Sequence, residues 1–220
     1  MTGIICVNKE KDITSFGVVA KLRGITGEKK AGHTGTLDPM ATGVLPVMFG
    51  GATRFLNFMP DSDKGYRATF KLGMTTDTLD ITGEVTSQSE VAVSVDDVKN
   101  AMRDFVGVID QIPPMFSAKS VDGVRLYDLA REGKTVEREA CRVEIKELEL
   151  VAFDETEHTY QIDVLCSKGT YIRSLIDDIG KKLGCGAVMT ELVRTKAMGF
   201  DLSDCVTLAE LQERKDSGKG

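Results

Sequence analysis

Residues 31–46, AGHTGTLDPMATGVLP, constrain the fold of this chain more than any other stretch. Gly32, Gly35, Pro39, Gly43 and Pro46 fix or free the backbone at close intervals, which predicts a loop of defined shape. The stretch holds one acid, Asp38, one histidine, His33, and no other charge. A carboxylate among apolar neighbours is costly to desolvate unless something pairs with it. Whatever the fold, it has to bring a partner to Asp38.

The rest of the chain narrows the class. With 220 residues, it suits one large domain, which buries roughly 70% of its unfolded surface without staples. Hydrophobic residues make up 41% and charged residues 28%. No apolar run approaches the roughly 20 residues of a membrane span, and the start MTGIICVNKEKD does not read as a signal peptide. A cytoplasmic protein is expected. Cys6, Cys141, Cys166, Cys185 and Cys205 are scattered and form no C-x-x-C pair, so a disulfide framework or a zinc site is not expected. A P-loop needs G-x-x-x-x-G-K-[ST], and no such run exists, nor a G-x-G-x-x-G after the first strand. Net charge is −6, but its distribution is uneven. Lys168, Arg173, Lys181, Lys182, Arg194 and Lys196 fall between Cys166 and Phe200, and Lys21, Arg23, Lys29 and Lys30 cluster earlier. A basic face on an acidic body is one reading, and solvated charges of both signs the other.

Residues 3–8, GIICVN, read as a short strand, period-two alternation predicts one over 65–73, and 138–153 with 157–167 reads as a hairpin pair. Helical spacing predicts a helix over 15–25 capped by Thr14 or Ser15, and one from Val95 capped by Ser94. Further helices are expected over 52–59, over 124–133, over 170–184 with Thr170 as cap and Gly184 as stop, and over about 207–215. QIPPMFSAKSVDG reads as a proline-broken loop and AVMTELVRTKAMGF as a last strand pair. Strands that neighbour each other in sequence suggest antiparallel pairing, hence an α+β or mixed α/β class with a central, mainly antiparallel mixed sheet flanked by helices.

On the residues alone Asp38 has three readings: a turn cap before Pro39, a general base, or a carboxylate nucleophile. Either chemical role needs a cation to keep it ionised, and Arg173 and Arg194 are the candidates. Tyr171 and Arg173 sit where a strand runs into a helix, and Lys64-Gly65-Tyr66 opens a strand. A tyrosine there either packs in the core or stacks on an unpaired base.

Five segments together resemble the TruB family of pseudouridine synthases: GHTGTLDPMATGVLPV, KGYRATFKLGMTTDTLDITGEV, QIPPMFSAKSVDGVRLYDLAREG, SKGTYIRSLIDDIG and LVRTKAMGF. The resemblance runs in order over about residues 2–215. It implies a pseudouridine synthase fold and conversion of uridine to pseudouridine at the position called 55 in the T-loop of tRNA, with no cofactor and no metal. By resemblance Asp38 is the catalytic aspartate, Tyr66 the tyrosine that stacks on the target base, and Arg173 the arginine that pairs with the aspartate. His33, Lys64, Lys168, Tyr171, Leu192 and Arg194 take RNA-binding or pocket-lining roles. A monomer is expected, as a single catalytic domain over 1–220 without the C-terminal PUA domain that many relatives carry. Val193 stands where the family often has arginine. The alternatives are a catalytically silent tRNA-binding or folding module, and a synthase of the same family acting on another RNA.

Overall fold

The apolar run that follows Asp38 becomes the innermost strand of its half of the molecule. In a computed structural model, which describes residues 1–56, 58, 62–117, 119–121 and 123–218, the chain forms two compact units. The first comprises Met1–Arg67 and Leu192–Gly220, the second Ala68–Glu191.

The first unit starts with β1 (Gly3–Lys9), α1 (Ser15–Thr26), β2 (Ala31–His33) and β3 (Thr42–Phe49). A 3-10 turn, Gly50–Phe55, follows. Strand β4 (Lys64–Leu72) begins here and continues into the second unit. The chain returns along β12 (Ala187–Ala197), whose end lies in the first unit, and finishes with β13 (Phe200–Asp201), a 3-10 turn and α5 (Leu208–Asp216). Strand order is β1-β3-β12-β4. Strand β3 is antiparallel to β1 and β2 but parallel to β12, with Arg194 opposite Gly43. All of β3 after Thr42 is buried, because one face packs on α1 and α5 and the other on β13. Val7, Val18, Val19, Leu22, Leu45, Val47, Phe49 and Leu208 form that first core. A strand buried on both faces reads as a continuous apolar run rather than an alternation. Gly43 is required at the parallel crossing: its φ is +104°, and a Cβ there would lie 2.3 Å from the Arg194 carbonyl oxygen.

The second unit contains the rest of β4, the hairpin β5 (Met74–Thr76) and β6 (Val85–Gln88), α2 (Val95–Arg103) and β7 (Gly107–Gln111). Then come the short pair β8 (Ser120–Val121) and β9 (Val124–Arg125), α3 (Leu126–Arg131), β10 (Cys141–Asp154), β11 (Thr159–Cys166) and α4 (Ile172–Leu183). Its strands lie in the order β4-β11-β10-β7. Phe70 and Tyr160 stack across β4 and β11 with ring centroids 5.5 Å apart. Helices α2 and α4 pack on each other, and Lys182 reaches Asp104 at 2.6 Å.

The fold class is the mixed α/β one expected from the sequence, with a large mixed sheet and helices. Several details differ. Residues 31–46 are less loop than expected: 31–33 and 42–46 are strand, and Pro46 sits in β3 opposite Cys6. Thr170 does not cap α4, since its hydroxyl donates to the Ser167 carbonyl at 2.9 Å; the N-cap is Tyr171, without a side-chain cap. The helix expected over 52–59 is a 3-10 turn as far as Phe55, and Asn57 and Met59 lie outside the described residues. Ala118 and Asp122 of the proline-broken loop lie outside them too. Strands β5, β6 and β7 were not expected.

Candidate active site

Asp38 rides on the loop from Thr34 to Ala41, between β2 and β3. It is half-buried, while Leu37, Met40 and Ala41 around it are buried. The scarcity of charge in this segment thus has a packing cause: the apolar side chains root the loop in the core and leave the carboxylate at its turn.

Three side chains from elsewhere in the first unit hold the loop by its backbone. The Ser15 hydroxyl accepts from the Leu37 N–H at 2.8 Å and donates to the Leu37 carbonyl at 3.0 Å, gripping the residue before Asp38 from both sides. The Lys9 ammonium donates to the carbonyls of Glu10 (2.9 Å), Pro39 (3.0 Å) and Ala41. Arg194 donates through Nε to the Val44 carbonyl at 2.8 Å, and through Nη1 and Nη2 to the carbonyls of Thr36 (3.4 Å) and Gly35 (3.2 Å). The Asp12 N–H adds a bond to the Pro39 carbonyl at 2.9 Å. Backbone carbonyls buried beyond the reach of water need such donors.

Lys9 is fully buried. Burial pushes its pKa down to about 8, against the opposing pull of the Asp38 and Asp12 charges. Arg194 is 1% exposed, and its guanidinium faces loop carbonyls rather than solvent. The parallel crossing at Gly43 is what brings it there. His33 ends β2, and burial, with the Arg194 charge, holds its imidazole below the ordinary range. Its Nδ1 is buried without a hydrogen bond, a cost on the order of 1–3 kcal/mol. Tyr66 on β4 and Leu192 on β12 are each 7% exposed. Lys64 is half-buried, and its Nζ lies 3.3 Å from where a Cβ on Gly35 would be, so a glycine there leaves room for the ammonium.

The second unit holds the remaining candidates. Lys168 is exposed and Tyr171 half-buried at the start of α4. Arg173 is 5% exposed; it donates to the carbonyls of Thr78 (2.9 Å) and Phe116 (2.8 Å), and its Nη1 lies 3.6 Å from Asp80 Oδ2. Asp80, 4% exposed, accepts from the Thr78 hydroxyl, the Thr82 N–H and the Thr82 hydroxyl. A buried ion pair is tolerable when its remaining lone pairs are hydrogen-bonded in this way. Sequence reasoning missed Asp80, although an acid flanked by hydroxyls in TTDTLDITG, with no base beside it, was a usable signal. Lys9 and Ser15 were missed as well, because they act on the loop from 22 residues away or more.

Replacing Lys9 with methionine removes the donor shared by these carbonyls and is expected to lower unfolding free energy by roughly 1–3 kcal/mol in urea titrations. An unchanged midpoint contradicts the clamp. The sign of the His33 shift gives a pH dependence. The unfolded chain takes up a proton near 6.5 while the folded imidazole resists it, so this contribution to stability is complete above 6.5 and is lost as pH falls below it. In NMR titration the His33 ring should show a midpoint below 6.5; a midpoint at or above that value contradicts the account.

Comparison with known proteins gives the family. The profile of the TruB family pseudouridylate synthase N-terminal domain matches residues 23–172, and that of the tRNA pseudouridylate synthase B C-terminal domain matches residues 173–218. The tRNA pseudouridine synthase B of Pseudomonas fluorescens is 51% identical over 96% of this chain and 69% of its own length. That of Clostridium perfringens is 46% identical over 97% of this chain and 72% of its own. Among solved structures, a Cbf5-Nop10-Gar1 complex matches with a TM-score of 0.75 at 32% identity, over 98% of this chain. An H/ACA RNP bound to a substrate RNA containing 2′-deoxyuridine matches with a TM-score of 0.72 at 29% identity, again over 98% of this chain. The chain spans 56% and 55% of those solved chains. By the profile match and the identity to these relatives, the chain belongs to the TruB family of pseudouridylate synthases.

Proposed function

We propose that this protein isomerises uridine to pseudouridine in the T-loop of tRNA, with Asp38 as the catalytic residue. One observation carries the reading: a chain matching the family over nearly its whole length anchors the backbone on both sides of a half-buried aspartate. In the reaction the C1′–N1 glycosidic bond breaks, the base turns, a C1′–C5 bond forms, the C5 proton leaves to water and N1 takes up a proton in its place. Atoms balance within the nucleoside and no electrons are transferred, so the reading assigns no cofactor and no metal.

A base within a folded RNA arm is first extruded, at a cost of a few kcal/mol. Stacking on Tyr66 offsets about 1–3 kcal/mol of this. Asp38 then attacks the nucleoside or removes a proton from its sugar; either route needs the carboxylate ionised, and the role assigned to Arg173 is to keep it so. Tyr66 takes part in the final proton removal. His33, neutral at physiological pH, and Lys64 take RNA-facing roles, and Tyr171 and Leu192 the pocket-lining roles that the resemblance gives them. Lys168, with the exposed Lys21, Lys29, Lys30 and Lys196, supplies cations for phosphates, which makes binding salt-dependent. The protein acts as a monomer in the cytoplasm; among the described residues no helix is long and apolar enough to cross a membrane.

Tritium release from a tRNA transcript labelled at uridine C5 tests the reading. Wild type should release the label and Asp38→Asn should not. Release by both removes Asp38 from its role. Release by neither, with tRNA still bound, favours the silent binding module, and release from another labelled RNA alone favours a different substrate.

A further inference from the structure

Gln111 closes β7 and is 1% exposed. A glutamine this deeply buried requires partners for its amide. Both partners belong to one residue 60 positions away: Oε1 accepts from the Tyr171 N–H at 2.8 Å, and Nε2 donates to the Tyr171 carbonyl at 3.1 Å. The side-chain amide thus copies what a neighbouring strand would offer. It does so at the N-cap of α4, where no capping side chain serves.

Two further bonds run alongside. The Ser174 hydroxyl donates to the Ile112 carbonyl at 3.0 Å, and Arg173 Nη2 donates to the Phe116 carbonyl at 2.8 Å. Between them Pro113 and Pro114 are buried, with φ fixed by their rings. Residues 111–116 therefore form a stiff strap along the first turn of α4. Gln111 holds one end, at Tyr171, and the carbonyl that receives Arg173 is at the other.

We propose that Gln111 is a positioning residue for the isomerisation. By holding the backbone N–H and carbonyl of Tyr171 it sets the first turn of α4, and with it the aim of the Tyr171 ring and of the Arg173 guanidinium. Gln111 acts through these two residues and touches no reacting atom. The inference rests on the function proposed above. It departs from a purely structural role in one respect: at a temperature where the variant stays folded, the loss on substitution falls on the chemical step, not on RNA binding.

The test uses the full chain, with Gln111→Leu and Gln111→Glu, in single-turnover tritium release with enzyme in excess over labelled tRNA. Filter binding of tRNA and thermal unfolding are measured alongside. Gln111→Leu should slow the single turnover by about tenfold to a hundredfold, the scale of a small misplacement of reacting groups, while tRNA affinity holds. An unchanged rate overturns the proposal, and so does a rate loss that follows falling affinity or lost thermal stability. Gln111→Glu supplies an independent readout. A neutral carboxylic acid has one donor and one acceptor and reproduces both bonds; ionised, it sets an anion against the Tyr171 carbonyl. Its deficit relative to wild type should therefore shrink as pH falls, and a ratio independent of pH overturns the proposal. If wild type releases no tritium, the proposed function fails by itself. Hydrogen exchange at the Tyr171 amide then decides the positioning claim: faster exchange in Gln111→Leu supports it, and equal exchange overturns it.

Discussion

The guanidinium of Arg194, buried against the carbonyls of Gly35, Thr36 and Val44, is the constraint around which the first unit is arranged. It gets there because β12 runs parallel to β3 with Arg194 opposite Gly43, a crossing so close that only glycine fits. Once there, it fixes one flank of the loop that carries Asp38. Ser15 and Lys9 fix the other points, from α1 and β1. A loop on its own loses conformational freedom at every residue when ordered. Here that cost is met by hydrogen bonds to charged donors, which are about twice as strong as neutral ones. The carboxylate at the turn is consequently held in place before any substrate arrives.

The second unit uses an arginine differently. Arg173 keeps a carboxylate partner, Asp80, and two carbonyl acceptors from separate segments, so its direction is set from three sides. The TTDTLDITG turn exists to offer Asp80: Leu79 adopts a left-handed φ of 64°, and Thr76, Thr78 and Thr82 bond the backbone or side chain of Asp80. An isomerisation, which transfers no electrons, depends heavily on placement and charge. In each unit a buried arginine, Arg194 or Arg173, is tied to backbone carbonyls.

Much of this was legible in the sequence, for identifiable reasons. The sequence offered Thr14 or Ser15 as the cap of α1 and Ser94 as that of α2, and Thr14 and Ser94 each accept a backbone N–H. The β10–β11 hairpin showed its alternation directly. Asp38 stood out because nothing near it in sequence was charged. What stayed hidden depends on distance along the chain. Arg194 reads as a partner for the Asp38 carboxylate or a contact for RNA until the parallel crossing is known, because the three carbonyls it meets lie 150 residues or more away. Lys9, in a charged run NKEKD, gave no sign of burial. β7 was missed because its alternation covers only five residues, and Thr170 was read as a cap because its type favours one, whereas the strap from Gln111 took over that task.

The central claim is that the loop is already ordered before it meets RNA. Amide hydrogen exchange at Leu37, measured with and without tRNA, tests it most directly. The account predicts slow exchange in the free protein, comparable to amides of β3, and little further slowing on binding. Exchange at the rate of an open loop in the free protein, slowed only when tRNA is added, would contradict it.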